Sequence, residues 1–142
     1  MFEYSWGQFL GRMCGSTVLN FSRGGMTAKV YCESFADSMC YWDPKNACQC
    51  YIIALGINDL FGWKQEVGSI DDVDFDDYNN NKDTFAGHYA KVIQRLKKIQ
   101  PRAKFFLMTM MNDAGSDEQR RVTQMKHRAL LFDFAKIFDN TY

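Results

Sequence analysis

Apolar residues recur along this chain in two alternating rhythms. Trp6, Phe9, Leu10 and Met13 fall at helical spacing behind Ser5-x-x-Gln8, a capping-box pattern that predicts a first helix. Residues 17–21, β-rich at Val18, Leu19 and Phe21, predict a strand. A second helix follows over about residues 27–38, burying Val30, Tyr31 and Phe35. The stretch 41–46 reads as a loop in which Asp43-Pro44 favours a turn or a helix start. Residues 51–55 form an apolar run short enough for a buried strand. From Asp83 or Thr84 to Ile99, a stripe of Phe85, Tyr89, Val92, Ile93 and Leu96 predicts an amphipathic helix. Lys91, Arg95, Lys97 and Lys98 take its wet face, the last two suit the C-terminal macrodipole, and Pro101 stops it. Residues 104–110 read as another buried strand. Ser116-x-x-Gln119 then caps a last helix to about Phe138, with Val122, Met125, Ala129, Leu130, Phe134, Ile137 and Phe138 as its apolar positions.

Strand and helix thus alternate, which predicts an α/β fold with a parallel sheet and helices on both faces. At 142 residues the chain reads as one domain spanning 1–142. No internal repeat or low-complexity tract interrupts it.

Chemistry concentrates where the strand at 51–55 ends. Gly56-Ile57-Asn58-Asp59 follows at once and sets an amide and a carboxylate at a strand's C-terminal edge, where open α/β sheets place their ligands. An Asn there can donate its NH2 to a developing oxyanion. Upstream, Asn20-Phe21-Ser22-Arg23-Gly24-Gly25-Met26-Thr27 makes a small, glycine-bearing loop before a helix. The order Ser5-Trp6…Leu10, Asn20-x-x-x-x-Gly25-x-Thr27 and strand-Gly56-x-Asn58-Asp59 resembles the SGNH hydrolases, the GDSL-type esterases and acylhydrolases. Gly25 matches that family's Gly block and Asn58 its Asn block, over roughly residues 5–138.

The resemblance implies a three-layer α/β/α sandwich, flavodoxin-like in its parallel sheet. It implies hydrolysis of an acyl or acetyl ester on a lipid, a carbohydrate or a small molecule through a serine nucleophile, with no cofactor and no metal. Gly25, through its backbone N–H, and Asn58, through its side chain, would then be oxyanion donors, with Asp59 ordering the loop by accepting backbone N–H bonds. The Gly-Asp-Ser block that belongs ahead of Ser5 has no counterpart in Met1-Phe2-Glu3-Tyr4. The Asp-x-x-His block has none in Asp139-Asn140-Thr141-Tyr142, which reads as the lead-in to a last strand. The sequence is therefore expected to be the middle of such a domain, truncated at both ends and inactive alone, with nucleophile and base absent. Missing its central strand, it is expected to be poorly stable or to self-associate through the gap.

Other residues compete for a role. Ser22 lies on the right loop but has no base. His88 and His127 fall within predicted helices and are expected to face solvent. The rival reading is a non-catalytic flavodoxin-like module that binds a small anion on the backbone of the 20–27 loop, assisted by Arg23. Asp71, Asp72, Asp74, Asp76 and Asp77 invite a calcium loop. Asp77 stands where that loop needs Gly and Asp83 where it needs Glu, so a solvated loop is expected instead, placed after the Asn58 edge where it would rim a substrate entrance.

Composition narrows the partners. Seventeen basic and seventeen acidic residues cancel, so nothing draws the chain to nucleic acid. Apolar runs are too short for a membrane span, and no signal peptide opens the sequence. Five cysteines, Cys14, Cys32, Cys40, Cys48 and Cys50, show no framework spacing; mostly buried, reduced thiols of a cytoplasmic protein are expected.

Overall fold

The computed structural model describes residues 5–111 and 115–142. Residues 1–4, where the Ser block was sought, lie outside them. Helix α1 is Trp6–Cys14, capped by Ser5, whose Oγ accepts the Gln8 N–H. Gly15, at φ 64°, ends it in the left-handed conformation that glycine adopts without strain.

Helix α2 starts as Ala28–Val30 behind the Thr27 cap, passes through a π-helical turn at Tyr31–Phe35 and finishes as Ala36–Ser38. It buries Tyr31, Cys32 and Phe35, while Val30 stays half-buried. Strand β1 is Cys50–Ile53 and strand β2 is Lys104–Leu107. They pair in parallel, Cys50 opposite Lys104 and Ile53 opposite Leu107. Helix α3, Phe85–Ile99, connects them; its Thr84 cap accepts the Gly87 N–H, and the expected stripe is buried throughout. Helix α4 is Glu118–Ile137, and its cap is Asp117 rather than Ser116. Beyond α4, residues 140–142 run along the free side of β2. Phe105 N–H donates to the Asn140 carbonyl, and Tyr142 N–H donates to that of Phe105.

A mixed α/β domain with a small parallel sheet is therefore in place. Tyr51, Ile53 and Phe105 point into the core, where Tyr51 stacks on Phe105 and Tyr89 of α3 stacks on Phe134 of α4. The opposite face, carrying Cys50, Ile52, Lys104 and Phe106, is exposed. Among the described residues helices cover one face of the sheet, and the far edge of β1 pairs with no strand.

Three expectations are corrected. Residues 17–21 form no strand. β-branched and aromatic content makes a strand only where a neighbour supplies ladder bonds. Here Val18 instead packs on the Gly7 and Gly11 side of α1, its carbonyl accepts the Gln8 amide, and Phe21 stacks on Tyr41 at 4.2 Å. On α4 the buried face is Gln124, His127, Leu130, Leu131, Phe134 and Phe138, which leaves Val122, Met125, Ala129 and Ile137 exposed. The cysteines are all free but mostly not buried: Cys14, Cys40 and Cys50 are exposed, Cys48 is half-buried and Cys32 alone is enclosed. No helix among the described residues is long and apolar enough to cross a membrane.

Candidate functional site

The β1 end and the loop before α2 meet. Past Ile53 the chain runs through Gly56 into a π-helical turn, Asn58–Gly62, so that Asn58 and Asp59 project from consecutive positions toward the 20–27 loop. The Asn58 Nδ2 donates to the Met26 carbonyl at 3.0 Å, across 32 residues of sequence. Gly25, immediately before, adopts φ 75° and is exposed, and nothing lies within 4 Å of where a Cβ would stand. The structure thus brings the Gly25 loop and Asn58 side by side. An amide carries two N–H donors. One of Asn58's is held by Met26, which orients the other.

Asp59 is fully buried. Its Oδ1 accepts the Ala28 N–H at 2.7 Å, and the backbone N–H groups of Gly56 and Asp59 itself also favour its charge. Burial outweighs them and raises its pKa above the usual carboxylate value. This carboxylate occupies the N-terminus of α2, beside the Thr27 Oγ that accepts the Val30 N–H. Two of the first backbone donors of α2, those of Ala28 and Val30, are therefore already engaged. Arg23 likewise turns to the Phe35 ring, 5.4 Å from its centroid.

Sequence reasoning misplaced His127. It is fully buried, and its Nε2 lies 3.3 Å from the Leu55 carbonyl at the end of β1. A Cβ on Gly56 would stand 2.7 Å from that nitrogen. The neighbours Lys126 and Arg128 suggested a wet helix face, but the spacing 124, 127, 131, 134 and 138 sets His127 on the buried stripe, and that signal was present in the sequence. His88 is not fully solvent-facing either: its Nε2 pairs with Asp83 at 2.8 Å while its side chain is only 12% exposed. Ser22 donates its hydroxyl to Asn20 Oδ1 at 2.6 Å and, among the described residues, bonds no histidine. Burial pushes the Cys32 thiol up to about 12, so it is no nucleophile at neutral pH.

The acidic loop spends its carboxylates on itself. Asp72 bonds Lys82 and the Ser69 N–H, and Asp74 accepts the Asp76 and Asp77 N–H groups. Among the described residues no group of acids, cysteines and histidines converges as metal ligands would. A shallow groove of about 260 Å³ between Phe75, Tyr78, Lys97, Lys98 and Phe138 lies near the C-terminal end of α3, about 20 Å along that helix from Phe85 and His127. It is not part of the Asn58 site.

The burial of His127 has a measurable pH signature. Desolvation lowers its pKa below the ordinary 6.5, and Nδ1 has no partner among the described residues. The folded state therefore holds His127 neutral, whereas the unfolded chain takes up a proton below about pH 6.5. Its contribution to stability is complete above that pH and falls as the pH drops toward the folded value, at up to about 1.4 kcal/mol per unit. Urea midpoints between pH 7.5 and about 5 are expected to fall for the native chain and to flatten in His127→Leu. Asp59 has the opposite sign: with its folded pKa raised, its contribution is present below about pH 3.9 and is lost as the pH rises through the folded value.

Compared with known protein families, characterised proteins and solved structures, the chain matches none.

Proposed function

We propose that this chain carries the oxyanion-binding part of an SGNH-type carboxylic-ester hydrolase, within a flavodoxin-like α/β/α sandwich of which the parallel pair and its helices form a portion. One observation carries the reading: the Asn58 amide, at the C-terminal edge of β1, is tied at 3.0 Å to the carbonyl that follows Gly25. Two loops remote in sequence are thereby held together, which supports reading them as a donor pair for an acyl oxygen. The free N–H of Asn58 and the backbone N–H of Gly25 would hold the tetrahedral oxyanion, and such a donor is worth about 2.7–4 kcal/mol in a transition state. Asp59 acts as a positioning residue, because it fixes the turn on which Asn58 rides. Nucleophile and base are not assigned within these residues.

An alkylphosphonate, the anion that resembles the tetrahedral intermediate, tests the assignment by NMR titration of the amide resonances. The Asn58 side-chain NH2 and the Gly25 N–H are expected to shift together and saturably. Asn58→Ala should weaken that binding by about tenfold or more, since one charge-assisted bond is lost. Shifts confined to Arg23, Thr27 and Ala28 would support the anion-loop reading instead. A fluorophosphonate probe is expected to leave the chain unlabelled; labelling abolished by substituting one serine would place a nucleophile among these residues and overturn that part.

A further inference from the structure

Two apolar surfaces of this chain are built to cover each other yet do not meet. The first is the stripe of α1. Trp6, Phe9, Leu10 and Met13 stand at i, i+3, i+4 and i+7, the pattern of a helix that packs on a sheet. All are exposed, Trp6 by 61% and Met13 by 84%, and Gly11 is the one buried residue of the helix. The second is the uncovered face of the sheet. Ile52 and Phe106 stand opposite each other in register, 39% and 43% exposed, extended by Met108 and by Tyr142 stacked on Phe106. The described structure thus contains a helix face without a sheet and a sheet face without a helix.

We propose that a second copy of this chain supplies both missing halves, α1 of each protomer lying across the exposed sheet face of its partner. Helix on sheet is one of the few stable layer contacts, and a reciprocal pairing about a two-fold axis closes on itself rather than growing into a filament. Local contacts leave the stripe available: Val18 and Phe21 bind the segment after α1 to Gly7, Gly11 and Tyr41, through none of the stripe residues. The area suffices. Eight large side chains per protomer, about half exposed, cover together about 1,400 Å² on pairing, inside the range of a standard stable interface. Formal net charge is zero, so the copies do not repel at long range. This surface is separate from the Asn58 site; the three-layer sandwich proposed above calls for a helix layer on this same sheet face, and here the partner's α1 supplies it.

Sedimentation velocity under reducing conditions tests it on the intact chain and on two exposed-surface variants, Trp6→Glu/Met13→Glu and Ile52→Glu/Phe106→Glu. The native chain is expected to form a discrete dimer, and each variant to weaken it at least about 100-fold while its circular dichroism is unchanged. Mixing the variants is decisive. One intact helix then meets one intact sheet, and a dimer that neither variant forms alone should return in part. A monomeric native chain overturns the proposal, as does α1 folding onto its own sheet. Loss of dimer in only one variant would mean helix–helix or sheet–sheet contact, and a continuous series of larger species would mean an open contact; either result also overturns it.

Discussion

Gly56→Ala is expected to destabilise the chain by about 4 kcal/mol, a large part of the whole stability of an ordinary domain. Two costs combine there. Gly56 holds φ 129°, a conformation that side-chain-bearing residues rarely adopt and that costs about 1–3 kcal/mol. The new Cβ would also stand 2.7 Å from His127 Nε2 and 2.8 Å from Met110 Cε, overlaps that core packing relieves only by moving α4 or the end of β1, at about 1–3 kcal/mol. Equilibrium denaturation measures the sum. Gly24→Ala is the control, since it has no Cβ neighbour within 4 Å and no positive φ, and it should leave the midpoint nearly unchanged. Shrinking the opposing ring separates the two costs. In the double-mutant cycle with His127→Ala the overlap with the ring is removed, while that with Met110 and the backbone strain remain, so the combined loss should fall short of the sum of the single losses by about 1–2 kcal/mol.

The same glycine shows what sequence reasoning reached and where it stopped. The helices at 28–38, 85–99 and 118–137 and the strands at 50–53 and 104–107 were legible, because their period and caps are local properties. That residues 17–21 would form no strand was not legible, since a strand is decided by its neighbour, and the far edge of β1 has none among the described residues. Gly56 and Asn58 stood out as a turn after an apolar run. Their connection to Met26 and His127 is tertiary, and no spacing encodes a hydrogen bond across 32 residues. His127 was hidden by charged neighbours although its helical phase marked it, a case in which periodicity outranks the polarity of adjacent residues.

Asp59→Ala is expected to cost about 2–3 kcal/mol and, unlike Asn58→Ala, to disrupt the site together with the stability. The carboxylate is fully buried and accepts the Ala28 N–H at 2.7 Å. Removing it leaves the Ala28 donor inside the protein without an acceptor, at about 1–3 kcal/mol, and empties the buried space the carboxylate filled. Thr27 still caps Val30, so α2 should survive with a frayed first turn rather than melt. Asp59→Asn should lose less, about 1–2 kcal/mol, because its carbonyl can still receive the Ala28 N–H. Asn58→Ala removes only one partly exposed bond to the Met26 carbonyl and should cost under about 1 kcal/mol. Denaturation midpoints and phosphonate titrations on the three variants then separate two jobs held by adjacent residues. If Asn58 is the donor and Asp59 its support, Asn58→Ala loses binding at nearly full stability, and Asp59→Asn loses binding in step with the loosening of the turn. Equal stability losses at both positions would instead make Asn58 a second structural clamp between the loop and the turn, and the oxyanion assignment would fall.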